Sequence, residues 1–259
     1  MILPAFAGEQ AVFDAILRVW LGIAALTFVA LQFLSAPYGR HARPGWGPTL
    51  PRAAGWVLME CPAVLGFVVL LLLSERRTDP VCLVLACVWL AHYVNRTFVF
   101  PFRMRGGNVR MPLSIAAMGH FFNLVNAYLQ ARYLFTLGPQ QGVEWLADSR
   151  FLSGLAVFAA GFCINLHSDH VLRNLRGAAD SGYKVPHRGM FRFVSCPNYL
   201  GEIVEWCGWA LMTWSLPGLA FALWTAANLA PRARSHHRWY VKTFPDYPAG
   251  RRALVPFLW

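Results

Sequence analysis

Asn165-Leu-His-Ser-Asp-His-Val-Leu-Arg-Asn-Leu-Arg176 closes an otherwise apolar run that begins near Phe151, and its polar groups are the wrong chemistry for contact with lipid. Helical geometry puts Asn165, Asp169, Arg173 and Arg176 at i, i+4, i+8 and i+11, a single stripe carrying an amide, a carboxylate and two guanidinium groups. Charges placed deep in a bilayer cost roughly 2.5–3.5 kcal/mol each on insertion scales, so such a stripe belongs against a bundle interior or a wet cavity, where it serves a ligand.

The remainder of the chain is suited to building that cavity. Its 57% hydrophobic content, 11 tryptophans and mean hydropathy of +0.42, with only 14% charged residues, describe an integral membrane protein. Met1 to Gln10 lacks a basic leader and Arg18 interrupts the first apolar run, so that run is expected to be a retained span and not a cleaved signal. Seven apolar runs are long enough to cross a bilayer: 11–34, 54–73, 80–100, 112–135, 151–171, 199–215 and 217–231. The last two are separated at Pro217-Gly218, because proline removes a helix donor and clashes with the preceding turn.

The basic residues sort accordingly. With the N-terminus outside, 17 of the 23 Lys and Arg fall on the C-terminal side of the membrane, and only Arg76, Arg77, Arg132 and Arg150 on the other. The C-terminus and three basic loops are therefore expected in the cytoplasm. This accounts for the net charge of +11 without nucleic acid as a partner. With no internal repeat and no soluble linker, residues 1–259 read as one all-α, seven-helix membrane domain, expected to be monomeric. The six cysteines lack a C-x-x-C spacing and have mostly apolar neighbours, so they are expected to be buried thiols, with no metal. The preference for Arg over Lys points to a GC-rich genome and a bacterium, and the expected location is the inner membrane if the protein is bacterial and the endoplasmic reticulum if it is eukaryotic.

Four further polar groups interrupt the apolar runs. Glu60, in Val57-Leu-Met-Glu-Cys-Pro62, is either a desolvated carboxyl able to donate a proton or an interfacial acid reaching water beside a proline kink; the residues alone do not choose. In His92-Tyr93-Val-Asn-Arg96-Thr97, Arg96 could hold an anion while the Tyr93 phenol stabilises an oxyanion, or both could be interfacial anchors. Asn198, Glu202 and Glu205 lie at i, i+4 and i+7 of one face, as ligand contacts or as partners of Arg173 and Arg176. Arg232, His236 and Tyr240 lie at i, i+4 and i+8 where the last run ends, while Arg234 and Arg238 suit anionic lipid.

Several of these stretches resemble the steroid 5α-reductases (3-oxo-5α-steroid 4-dehydrogenases). The resemblance rests on His92-Tyr-x-x-Arg-Thr-Phe98, Asn165-x-His-Ser-Asp169, Asn198-x-Leu-Gly-Glu-Ile-x-Glu-Trp206, Thr213-Trp-Ser-Leu-Pro217, His236-His-Arg-x-Tyr-x-x-x-Phe-x-Asp-Tyr-Pro248 and Arg251-Arg-Ala-Leu-x-Pro-Phe257, in order from about Glu60 to the C-terminus. It implies an enzyme that reduces a 3-oxo-Δ4-steroid with NADPH inside seven transmembrane helices, the steroid entering from the bilayer. Carried over by motif, Glu60 and Tyr93 engage the ketone. Arg96, Arg105, Asn165, Asp169, Arg173, Arg176, Tyr183, Asn198, Glu202, His236 and Tyr240 are implied to contact the dinucleotide.

The chain departs from that pattern at Met104-Arg105-Gly-Gly107-Asn108, where family members usually carry Asn-Arg-Gly-Arg-Pro. No G-x-G-x-x-G follows a strand, which excludes a Rossmann holder. Two other functions share parts of the pattern. An S-adenosylmethionine-dependent methyltransferase of the isoprenylcysteine or phospholipid type would match the C-terminal motifs but has no use for a ketone-polarising pair. A lipid transporter would also bury acids, but such proteins often carry repeats and broken helices in paired positions.

Overall fold

The computed structural model describes residues 2–35, 41, 43–105, 109–175 and 182–259. Among them the chain is helical apart from one small ribbon. The helices are α1 (Glu9–Phe33), α2 (Arg52–Leu72), α3 (Pro80–Val94), α4 (Phe100–Arg103), α5 (Leu113–Arg132), α6 (Ser149–Asn174), α7 (Pro197–Thr213) and α8 (Leu216–Thr243). Every apolar run in the sequence is thus occupied by a long helix. Four stretches are long and apolar enough to cross a membrane: α1, α2, Pro80–Arg103 and α6. Their outer faces carry residues such as Leu26, Phe33, Leu65 and Leu72, each more than half exposed, which is the surface a lipid environment would cover. In α1 the buried positions are Glu9, Phe13, Leu17, Trp20 and Ala24, one narrow stripe of an otherwise outward-facing helix.

Contacts divide the chain into two units: residues 1–19, 37–104 and 108–152, and residues 20–36, 105–107 and 153–259. In the first, strands β1 (Thr49–Pro51) and β2 (Arg110–Pro112) pair antiparallel, Leu50 opposite Met111, and lead directly into α2 and α5. Sequence periodicity had no means of showing strands this short. From that clasp α2 and α5 run parallel in a steady register. The Met59 carbonyl meets Asn123 and Ser74 Oγ donates to the Phe135 carbonyl, separations of 64 and 61 residues.

The same unit anchors the N-terminal segment. Arg132 is 3% exposed and paired with Glu9, 2% exposed, at 2.5 Å. Its guanidinium also donates to the Leu3 and Pro4 carbonyls and to Thr136 Oγ1. Helix α3 runs into a π-helical turn at Asn95–Val99, and α5 into another at Tyr133–Leu137. In and just after the second, Arg76 donates to the Leu134, Thr136 and Gly138 carbonyls, partnering acceptors left open where the helix ends.

In the second unit the deciding contact is between α6 and α7. A methyl group on Gly154 would stand 2.8 Å from the Gly208 carbonyl oxygen, and one on Gly201 2.7 Å from the Gly161 carbonyl oxygen. Backbones this close are possible only because Gly154 and Gly161 on one helix meet Gly201 and Gly208 on the other, both pairs spaced by seven residues. The break between α7 and α8 falls at Trp214, in the left-handed region with φ 44°, and Ser215, whose side chain accepts from the Gly218 N–H at 3.0 Å. Pro217 therefore sits in the first turn of α8, where a missing N–H costs nothing, at the start of the last run as expected. Trp224 Nε1 donates to the Trp20 carbonyl at 2.9 Å, holding the later half of α1 against α8.

Of the cysteines, Cys82 and Cys196 are buried, Cys61 is partly buried, and Cys87, Cys163 and Cys207 point outward. Burial was therefore the wrong expectation for the last three, which lie on apolar outer faces where a thiol is as well tolerated as alanine.

Replacing Gly201 by Ala should lower stability by about 3 kcal/mol, the upper end for overpacking, because only backbone atoms are in the way. Gly22→Ala, with nothing within 4 Å of the new methyl, should be neutral or slightly stabilising. Thermal unfolding of the two detergent-purified variants against the wild type measures the difference.

Candidate active site

Pro62 lies inside α2 and has no N–H, so the Leu58 carbonyl one turn earlier loses its helical donor. His120 of α5 takes that place, with Nδ1 2.7 Å from the Leu58 oxygen. An acceptor-only partner fixes Nδ1 as the protonated nitrogen. One turn further along α5, the Asn123 amide donates to the Met59 carbonyl and to Glu60 Oε2, each at 2.9 Å. Glu60 is 9% exposed, so its carboxyl is buried and hydrogen-bonded inside the unit.

Helix α3 packs antiparallel to α2. Phe67 stacks on Trp89 with centroids 4.7 Å apart, Trp89 Nε1 donates to the Ala63 carbonyl at 2.8 Å, and the Arg96 guanidinium lies 4.5 Å over the Trp56 ring. Between the second and third of these contacts, one turn back from Ala63 is Glu60 and one turn on from Trp89 is Tyr93. The register thus puts the carboxyl and the phenol at the same level. Tyr93 is 3% exposed, continues the aromatic stack at 4.6 Å from Trp89, and meets His92 edge-on at 4.9 Å. Arg96 is in the π-helical turn and also covers the Phe100 ring at 4.6 Å.

In the second unit the glycine crossing brings the polar ends of α6 and α7 together. Asn165, 4% exposed, donates to the Asn198 carbonyl at 3.0 Å, and the Asn198 amide reaches Asp169 Oδ1 at 3.5 Å. Glu202 is partly exposed on the following turn, whereas Glu205 is wholly buried. Arg173 donates to His170 Nδ1 at 3.2 Å. On α8, His236 Nε2 is 3.1 Å from the Tyr199 hydroxyl, to which Arg232 donates at 3.0 Å. Tyr240 is buried and stacked on Tyr247, centroids 5.2 Å apart. Tyr183 is 41% exposed and rests edge-on against Trp239. Arg105 is exposed. Arg176 and residues 106–108 lie outside the described residues.

The C-terminal tail holds the start of α7. Ser195 Oγ is 2.7 Å from both His237 Nδ1 and the Tyr247 hydroxyl, and the Arg252 and Ala253 carbonyls accept from the Ser195 and Cys196 N–H groups. His237 stands beyond the apolar part of α8. Burial, with Arg251 and Arg252 nearby, holds its imidazole below the usual value.

Sequence reading missed Asn123, although the signal was present: Asn123, Asn126 and Gln130 recur at i, i+3 and i+7 in an apolar run, and all three are buried. The paired glycine spacing, Gly154 and Gly161 against Gly201 and Gly208, was likewise readable and unread.

A model of the family described as 3-oxo-5-alpha-steroid 4-dehydrogenase matches residues 109–259. The chain belongs to that family. Steroid 5-alpha-reductase DET2 of Gossypium hirsutum is 43% identical over 257 residues, 98% of this chain and 100% of the relative. The 3-oxo-5-alpha-steroid 4-dehydrogenase 1 of Bos taurus is 42% identical over 96% of this chain and 98% of its own length. The human protein of that name is 41% identical, over 96% of each. The chain is thus a member of a steroid 5α-reductase family of oxidoreductases, and similarity extends through α1, upstream of the motifs first singled out. The strands among the described residues form only a two-stranded antiparallel ribbon, and no doubly wound sheet is found among them.

Because the folded state disfavours a proton on His237, stability should be unaffected by that group in mildly alkaline buffer and should fall as pH drops through the imidazole range, near about 6.5. His237→Gln should flatten that part of the profile; unfolding midpoints at about pH 8 and about pH 5.5 for both proteins measure it.

Proposed function

We propose that this protein reduces the Δ4 double bond of 3-oxo-Δ4-steroids with NADPH, giving 5α-reduced 3-oxosteroids. The observation that carries the proposal is identity above 40% to the named steroid reductases over nearly the whole chain, joined to a buried carboxyl and phenol at one level of the first unit.

In this mechanism Tyr93 donates its O–H to the ketone oxygen, and Glu60, in its protonated form, supports the phenol. Stabilising the developing enolate oxygen is where such donors act most strongly, since they are positioned before reaction in a water-poor site. NADPH, when bound, supplies the hydride that adds to the β-carbon of the enone. The α-carbon takes up a proton, so the product carries one hydride and one proton more than the substrate. The Phe67, Trp89 and Tyr93 rings exclude water from this level, which strengthens each hydrogen bond to the ketone.

The chemistry of the second unit's polar set fits the dinucleotide. Carboxylates at Asp169 and Glu202 suit ribose hydroxyls, the amides of Asn165 and Asn198 suit the carboxamide and ribose, and His236 and Tyr240 add donors. Arg105, Arg173 and Arg176 suit the phosphates, the role the resemblance also implies for Arg96. Of these, Arg173 would have to exchange its contact with His170, and Tyr183 would act from an exposed position. Seven membrane crossings, with the N-terminus outside and the C-terminus and basic loops in the cytoplasm, give NADPH its source on the same side as those arginines. The steroid would enter from the bilayer, and one chain holds every residue invoked, so a monomer suffices.

Tyr93→Phe should lower turnover about 100-fold while leaving NADPH affinity within about twofold. Loss of reduced-nicotinamide absorbance on adding a steroid enone, with product analysis and a separate NADPH titration, tests both halves. Wild-type turnover in the purified variant would reject the role of the phenol, and no NADPH oxidation by any steroid enone would reject the reaction.

A further inference from the structure

The Asn123 amide is oriented without ambiguity. Its nitrogen is 2.9 Å from the Met59 carbonyl oxygen, a group that can only accept, so the amide oxygen cannot occupy that side. The same nitrogen lies 2.9 Å from Glu60 Oε2, and its two hydrogens serve the two acceptors. Oε2 therefore faces an obligate donor. A carboxylic acid carries its proton on one oxygen, and the oxygen that accepts from an amide N–H is the carbonyl one.

We infer that Asn123 is a positioning residue for the reduction, assigning the Glu60 proton to Oε1 and so determining which carboxyl oxygen supports the Tyr93 phenol. The inference rests on the role given to Glu60 in the proposed function and extends it to a residue on another helix. Asn123 and Glu60 are both buried, 4% and 9% exposed, so the contact is shielded from bulk solvent. Because the parallel register of α2 and α5 delivers Asn123, and Pro62 opens the helix beside it, the carboxyl is held from outside its own helix. In Asn123→Asp the shape persists but the donor is replaced by a second acid, and two adjacent carboxyls would then share protons.

The test is a mutant cycle on the full-length protein in nanodiscs, with NADPH and a 3-oxo-Δ4-steroid. Asn123→Leu and Asn123→Asp should each lower kcat about 30-fold with NADPH binding unchanged, and Asn123→Ser, which keeps a donor, should recover much of that loss. In a Glu60→Gln background the same substitutions should cost less than about threefold, because a residue acting through Glu60 has nothing left to position. The Asp variant should also show a limb in its pH–kcat profile that the wild type lacks. Infrared difference spectra supply a readout independent of turnover: the carboxyl stretch that disappears in Glu60→Gln should move in Asn123→Leu.

Equal losses in the Leu, Asp and Ser variants at matched thermal stability, or full additivity with Glu60→Gln, would overturn the inference and leave Asn123 as a link between helices. An unmoved carboxyl stretch would overturn it even if the Leu variant were too unstable for kinetics. Wild-type turnover in Glu60→Gln alone would instead reject the role of Glu60, a different result from loss at Glu60 without loss at Asn123.

Discussion

Backbone contact between α6 and α7 is the constraint on which the second unit depends. Lipid gives two apolar helices little reason to associate, so their attraction must come from dispersion at close range and from polar groups that find each other. Four glycines permit that range, with a hypothetical methyl on Gly161 only 2.5 Å from the Gly201 carbonyl oxygen. The polar ends follow as a consequence. Asn165 reaches the Asn198 carbonyl because the glycines below it have already closed the distance, and Asp169 is one turn beyond.

The first unit solves a related problem by a different route. A proline in the middle of α2 leaves the Leu58 carbonyl without a helical donor, which in an apolar environment costs on the order of several kcal/mol if nothing replaces it. His120 replaces it, and Asn123 joins the neighbouring carbonyl and the Glu60 carboxyl to the same helix. Glu60 is therefore next to the one place in α2 where another helix must contribute polar groups. On the α3 side it is level with a ring stack that ends at Tyr93.

Hydropathy and polar punctuation made the helices readable, since a period of 3.6 with long apolar runs leaves few alternatives. Capping chemistry fixed the start of α8: Ser215 accepts the Gly218 N–H, so the helix begins at Leu216, one residue before the expected run. Pairings between distant segments were not readable in the same way. Nothing local to Arg132 announces Glu9 as its partner, and nothing near Glu60 announces Asn123; each contact depends on register between helices far apart in the chain. The two polar sets were legible as stripes, Asn165 with Asp169 and Arg232 with His236. Their internal hydrogen bonds, such as His236 to Tyr199, required coordinates.

The spacing between α2 and α5 also has a consequence for biogenesis. Leu58 and Glu60 emerge from the ribosome about 60 residues ahead of His120 and Asn123, several seconds at roughly 5–20 residues per second. During that interval the Leu58 carbonyl has the Cys61 thiol of its own helix but not His120, and the Glu60 carboxyl lacks the Asn123 amide. Until α5 arrives those two α5 contacts cannot form, so completion of this part of the first unit is tied to the order and pace of translation.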